Sequence, residues 1–286
     1  ELTEELIQST SSILFHNGQI NLLNSWIEDL PRDLIESSPG LLGIHGSLTS
    51  VLGSPKDGLQ ILNRALRIQK KDREINSELI STILLRRATC HRLLGDYPAG
   101  KDDILAALNN IQNPVLEAEA ERELGLLARR MGDLETANKH LNKSLDLYQH
   151  QKDHRNTAFV EMDLGSVVMN QGDYSAAREL YKNSFQIWSD IGNITQMVEI
   201  CNNLGVLDHL SGNYKESYFW LKKALNHSRM TASLRGEAFT LASLGDLAAD
   251  LGAFTQALEY YSKSKDIAGA IDESFLKSYL EVTTAA

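Results

Sequence analysis

The run L-G-S-V-V-M-N-Q-G-D-Y-S-A-A-R-E-L-Y, Leu164–Tyr181, holds the pattern from which the rest of the chain can be read. Its Leu-Gly pair recurs at Leu124-Gly125, Leu204-Gly205 and Leu244-Gly245, giving four copies spaced 40 residues apart. Seven residues after each of these glycines stands another: Gly132, Gly172, Gly212 and Gly252. Two positions further comes a bulky apolar residue (Leu134, Tyr174, Tyr214, Phe254), then a small one (Ala137, Ala177, Ser217, Ala257). Self-similarity at a fixed period in this range is the signature of a helical repeat array, in which each helix pair buries its apolar face against the next.

Each slot has a mechanical reason. The first glycine falls in mid-helix, where Gly costs roughly 1 kcal/mol relative to Ala. Keeping it four times in register implies that a neighbouring helix backbone comes close. The second glycine ends the helix in a left-handed cap, and the Asp or Asn that usually follows suits an N-cap. The bulky and small residues are expected on the inward face of the second helix. These slots resemble the tetratricopeptide repeat, lengthened from about 34 residues to 40. The proline that usually closes that repeat is absent, and turns such as Gly192-Asn193 take its place.

Upstream the same grammar continues with less regular spacing. Residues 1–35 read as a helical pair, with Leu6, Ile7, Ile13 and Leu14 before a turn at Asn17-Gly18, then Ile20, Leu23 and Ile27 after it. Pro31 is expected to open a non-repeat linker running through Ser37-Ser38-Pro39-Gly40. A second pair has Gly46 in the packing slot and Gly53 in the turn. A third has Ala88 in the slot, Gly95-Asp96-Tyr97 in the turn and Gly100 where later repeats place Ala. Counted through the chain, the packing slot holds Ser11, Gly46, Ala88 and then the four glycines, all of them small. One more period lands on Ala285, so Glu273–Thr284 begins an eighth repeat. The expected fold is all-α: a right-handed superhelical solenoid of about seven tetratricopeptide-like helix pairs plus a terminal helix. It is read as a single array over residues 1–286, with divergent pairs in 1–80, regular repeats in 81–270 and the terminal helix in 271–286.

Composition narrows the function. Lys and Arg number 28 against 38 Asp and Glu, a net charge of −10, which argues against a general phosphate-binding surface and a direct nucleic-acid partner. There is no apolar run of the roughly 18 residues that span a bilayer, and no signal-peptide pattern, so a cytoplasmic protein without a membrane partner is expected. Cys90 and Cys201 fall in predicted helices and read as buried thiols. The stretch Gly95–Asp102 matches a phosphate loop up to its last position, where Asp replaces the hydroxyl residue; its helical flanks and that carboxylate speak against nucleotide binding. His150 and His154 have metal-pair spacing but lie in a polar inter-repeat segment, where solvent exposure is the plain reading. No catalytic constellation stands out, so neither an enzyme, a cofactor nor a metal site is expected.

Repeat arrays of this kind work through the groove lined by their first helices. Counted from the packing residue, slots −6, −3, +1, +4 and +5 should face it. In the third and fourth pairs these slots include Thr82, Thr89 and Glu119, together with a basic cluster of Arg92, Arg122, Arg129 and Arg130. The fifth pair supplies Phe159, Met162, Ser166, Met169 and Asn170, with the apolar members expected to be exposed. The sixth supplies Asn202 and His209, and the seventh Asp246 and Asp250. The candidate binding residues are therefore Arg92, Arg122, Arg129, Arg130 and Met162, continued by Ser166, Asn170, Asn202, His209 and Asp246. Such a groove suits an extended peptide or a hydroxylated small molecule, with the arginines taking an anion or carboxylate; the bland alternative is a set of solvated groups and internal ion pairs. Trp26, Trp188 and Trp220 fall on second helices and are expected to pack rather than to bind.

The run from Asn24 to Leu41, N-S-W-I-E-D-L-P-R-D-L-I-E-S-S-P-G-L, resembles the opening of the helical-repeat region in the large ATP-dependent LuxR-type, maltose-activator-like bacterial transcription regulators. The resemblance implies a parent protein with an ATPase module before residue 1 and a DNA-binding module after residue 286. This piece would then be its sensor and self-association module, binding a small-molecule effector, peptide or protein in the groove. The other reading is a general protein–protein or peptide-binding adaptor.

Overall fold

The computed structural model describes residues 2–16, 19–69, 76–271 and 273–285. The expected Asn17-Gly18 turn lies outside the described residues. Helix α1 (Leu2–His16) is followed by α2 (Ile20–Glu28) and a short α3 (Arg32–Ser37). Then come α4 (Pro39–Val51) with α5 (Pro55–Gln69), α6 (Ser77–Leu94) with α7 (Tyr97–Leu108), and α8 (Pro114–Arg130) with α9 (Leu134–His150). The later pairs are α10 (His154–Asn170) with α11 (Tyr174–Ile191), α12 (Ile194–Leu210) with α13 (Tyr214–Met230), and α14 (Leu234–Asp250) with α15 (Phe254–Ala270). Helix α16 (Ser274–Ala285) closes the chain. Among the described residues every regular element is helical.

The chain forms two compact units, Glu1–Asp163 and Leu164–Ala286, with the boundary inside α10. In the first, α4 packs on α5, α6 on α7 and α8 on α9, and the first helices α4, α6 and α8 are successive neighbours. Helix α1 lies against α2 and α4. The core includes Leu23, Ile27, Leu41, Leu62, Ile83 and Ile104, all buried. In the second, α12 packs on α13 and α14 on α15, α12 adjoins α14, and α16 rests on α15.

The packing-slot glycines do what their register implies. A Cβ added at Gly125 would stand 2.6 Å from Leu141 Cγ, at Gly205 2.6 Å from Leu221, and at Gly165 2.6 Å from the Tyr181 ring. At Gly245 it would stand 2.4 Å from Tyr261. The small residue twelve positions on completes the crossing. At Ala88, where the slot itself is not glycine, that second position is (Gly100), and a Cβ there would meet the Ala88 carbonyl at 3.3 Å. From Gly46 onward each crossing thus has at least one glycine.

Turn chemistry also follows the sequence. Gly172, at φ 87°, ends α10; its N–H bonds Met169 O at 3.0 Å and the Asp173 N–H bonds Val168 O at 3.0 Å. Asp173 then caps α11, its carboxylate accepting from the Ala176 N–H at 2.9 Å. Between repeats, Gly192 (φ 75°) fills a position that one period away holds Lys152 (φ 56°) and Ala232 (φ 52°), two side-chain-bearing residues in the left-handed region.

Two expectations are corrected. The bulky residue after the turn is not inward: Tyr174, Tyr214 and Phe254 are 37 %, 40 % and 68 % exposed, because each is the first residue of its helix, while the small residues three on are buried. Nor is Pro31–Gly40 a bare linker. It folds as α3, and Ser38 caps α4 by accepting from the Leu41 N–H at 3.2 Å, with Pro39 at the first helical position where its missing N–H costs nothing.

Candidate functional site

The first helices of the Glu1–Asp163 unit bring their slot −6, −3 and +1 side chains to one cavity of about 520 Å³. Thr82 and Thr89 come from α6, Glu119 and Arg122 from α8 and Phe159 from α10, as the repeat frame predicts. The volume is that of a small-molecule or short-peptide site. Tyr148 of α9, itself buried, and Phe15 of α1 supply further apolar wall. A smaller cavity of about 330 Å³, lined by Ser11, Ile44 and Asn76 among others, shares Thr82 and Arg86 with the first.

The charges on these helices form a ladder between repeats. Arg122 Nε lies 2.7 Å from Asp163 Oδ2, and its guanidinium stands 5.2 Å from the Phe159 ring centroid. Arg92 makes two bonds to Glu123, at 3.0 and 3.3 Å. Both acidic partners occupy slot −2 of the next repeat, a position outside the five counted from sequence. Arg86 occupies slot −2 as well and lines both cavities. Its pKa is lowered, chiefly by burial, with Glu119 opposing; that of Glu119 is raised, again chiefly by burial, with Arg86 opposing. At Arg122 burial pulls downward, but Asp163 and Glu123 carry the pKa above its ordinary value. Burial, reinforced by Glu119, pushes the Tyr148 hydroxyl up.

Of the residues singled out from sequence, Arg122 lines this cavity. Arg92 is turned to Glu123, Arg130 is exposed, and the buried Arg129 Nε has no hydrogen-bond partner. Met162 is only 8 % exposed, which corrects the expectation of an exposed apolar groove residue; Leu85, also in slot −3, and Leu126, in slot +1, are core as well. Phe159 is half-buried. In the Leu164–Ala286 unit, Ser166 shares a 3.1 Å hydrogen bond with the Tyr181 hydroxyl, and Asp246 accepts from Tyr261 at 2.8 Å and Tyr279 at 2.7 Å. His209 Nε2 meets Asp250 Oδ2 at 2.7 Å. Asn170 is exposed, and Asn202 Oδ1 is buried without a hydrogen-bond partner.

Sequence reasoning missed Arg86, Glu123 and Asp163. The signal was present, since slot −2 carries a charge in three successive repeats. It was overlooked because the slot borders the core face. The other sequence motifs stay plain. Gly95 and Asp96 form the cap between α6 and α7 rather than a loop after a strand. His150 ends α9 and His154 begins α10, both exposed, and no metal-sized cluster of His, Cys, Asp or Glu occurs among the described residues. Cys90 and Cys201 are free and buried, and burial pushes the Cys201 thiol up to about 12. Trp188 is fully buried, whereas Trp220 is half-buried with its ring 5.4 Å from Phe185. No helix among the described residues is long and apolar enough to cross a membrane.

Repeat spacing, slot packing and helix order define an all-helical tetratricopeptide-type solenoid. Residues 116–190 match the tetratricopeptide repeat family. Comparison with curated proteins gives no significant match. Among solved structures, the Rap protein complexed with competence and sporulation factor is 13% identical, with a TM-score of 0.76 over 98% of this chain and 80% of that one. The apo form of RapI is 13% identical with a TM-score of 0.66, covering 99% and 81% of the two chains. BtubC from P. vanneervenii is 15% identical with a TM-score of 0.65, covering 77% and 92%. At such identities the likeness is one of fold.

Proposed function

We propose that this chain is a ligand-binding scaffold, and that the cavity bounded by Thr82, Arg86, Glu119, Arg122 and Phe159 takes a short peptide or small effector. The observation that carries this reading is the convergence of groove-slot side chains from α6, α8 and α10 on one cavity of about 520 Å³. Polar groups fix orientation there and aromatic rings supply contact area, the usual division of labour in a ligand site. The fold likeness to a Rap protein seen with competence and sporulation factor supports a binding role for the same architecture. The finer reading, motivated by the Trp26–Leu41 resemblance, is the effector-sensing and self-association module of a bacterial transcription regulator. A ligand would act there by binding one state of the parent more tightly than another. The alternative is a general protein or peptide adaptor.

Thermal unfolding against oligosaccharides, nucleotides, amino acids and short peptides tests the proposal. A ligand at about 100 times its Kd adds roughly 2.7 kcal/mol. Arg86→Ala should cancel the midpoint shift, and Arg130→Ala, on an exposed side chain away from the cavity, should leave it. If the shift survives Arg86→Ala, the cavity is not the site. If only a macromolecular partner stabilises the chain, the adaptor reading replaces the effector reading.

A further inference from the structure

We infer that the ligand of this cavity is zwitterionic, placing a carboxylate on the Arg86 guanidinium and a protonated amine on the Glu119 carboxylate, with an apolar body against Phe159 and Tyr148. The inference rests on the proposal that the cavity is a binding site, and it changes what the sequence suggested. A basic cluster would favour a simple anion. The wall that folds is balanced, with three arginines (Arg86, Arg122, Arg155) and three carboxylates (Glu119, Glu123, Asp153) lining it. A balanced wall gives a lone anion little net attraction, whereas a ligand with both charges meets a complement for each.

Two of these six charges are paired with charges outside the wall, and a third is held by a neutral amide. Asp163 holds Arg122 at 2.7 Å, Arg92 holds Glu123 at 3.0 Å, and Asp153 accepts from the Asn156 side chain at 2.7 Å. Arg86 and Glu119 hold neither a hydrogen bond nor an ion pair among the described residues, although each feels the other's charge. Arg155 also holds neither a hydrogen bond nor an ion pair among the described residues, but it is not among the charges that bear on Glu119, so the open charges that face each other are Arg86 and Glu119. Burial disfavours both charges, as their opposite pKa displacements show. Partners arriving with the ligand would replace lost hydration with charge-assisted hydrogen bonds, and the guanidinium offers a carboxylate two at once. Arg86 and Thr82 also face the second cavity of about 330 Å³, so there is room beyond the carboxylate anchor for more than one residue of a chain. A short peptide meets these demands, its charges coming from its termini or from side chains.

The test is calorimetric titration of the intact chain with random short-peptide libraries in four forms: both termini free, N-acetylated, C-amidated and doubly blocked. The free form should bind, and blocking either terminus should weaken binding about tenfold or more. Arg86→Gln should abolish the difference between free acid and amide, Glu119→Gln the difference between amine and acetyl, and Arg86→Lys should keep the carboxylate preference. Circular dichroism checks that each variant folds. Binding of the doubly blocked library only through members with both an acidic and a basic side chain would support the same chemistry from the other source. Equal binding of all four forms, charged side chains or not, overturns the zwitterion while leaving the cavity as a site. Absence of binding to every library, with wild-type folding intact, overturns the peptide-site reading and this inference together.

Discussion

Gly165→Ala tests the packing logic of the whole array. The added methyl would sit 2.6 Å from Tyr181 Cε1 and 2.8 Å from Cδ1, well inside contact distance. The ring has nowhere to retreat: Tyr181 is fully buried, and its hydroxyl is tied to Ser166 at 3.1 Å. Overpacking of this kind costs about 1–3 kcal/mol, against a helix-propensity gain of about 1 kcal/mol. A net loss of up to about 2 kcal/mol is expected. Gly269→Ala is the matched control, because Gly269 lies exposed inside α15 with nothing within 4 Å of its would-be methyl. It should gain about 0.5–1 kcal/mol. Urea midpoints at unchanged slope would read both effects. Tyr181→Phe in the Gly165→Ala background should recover part of the loss, since freeing the hydroxyl lets the ring shift, and a double-mutant cycle measures that coupling. A rise in midpoint for Gly165→Ala matching that of Gly269→Ala would refute the close-approach argument.

Three further outcomes follow from the same geometry. Ala232→Gly should stabilise by about 1 kcal/mol in urea, because Ala232 holds φ 52° where the repeat one period earlier uses Gly192; a neutral or negative effect would mean the strain is absorbed elsewhere. Asp103→Ala should cost about 3 kcal/mol by the same assay, the low end for a broken buried pair, since Asp103 is 5 % exposed and Arg87, left with Asn63 alone, is 24 % exposed. Tyr279 donates to Asp246 at 2.7 Å, and burial, seconded by that bond, pushes its pKa up to about 12. Because the folded value lies above the unfolded one, its stabilisation is complete below about pH 10 and declines as pH rises from there through the folded value. Asp246→Asn should lower the tyrosinate titration seen by ultraviolet absorbance, and an unchanged titration would discount the bond.

The repeat was legible because its constraints are local. Gly172 and Asp173 announce a cap whatever surrounds them, and Gly165 and Ala177 announce a close crossing within one helix pair. The site was only partly legible. The frame placed Thr82, Glu119, Arg122 and Phe159 at the cavity, but it treated slot −3 as uniformly open and so counted Leu85 and Met162, which are core. It also read Ser166 and Asp246 as ligand groups, although each bonds the tyrosine packed over the adjacent glycine, Tyr181 and Tyr261. A polar residue follows the packing glycine in the two of the four glycine repeats where tyrosine replaces leucine in the facing position.

The sequence by itself determined the period, the helix ends and the small-residue crossings, all of which depend on residues within one repeat. Only the tertiary structure decided which charges remain open. Arg92 and Arg122 are matched by Glu123 and Asp163, partners 31 and 41 residues away, and Arg86 is left facing the cavity. Whether two such side chains meet depends on the register of one helix pair against the next, to within a hydrogen-bond length. Hydrophobic periodicity constrains which face of a helix is buried, but it leaves that register to the packing of the folded chain.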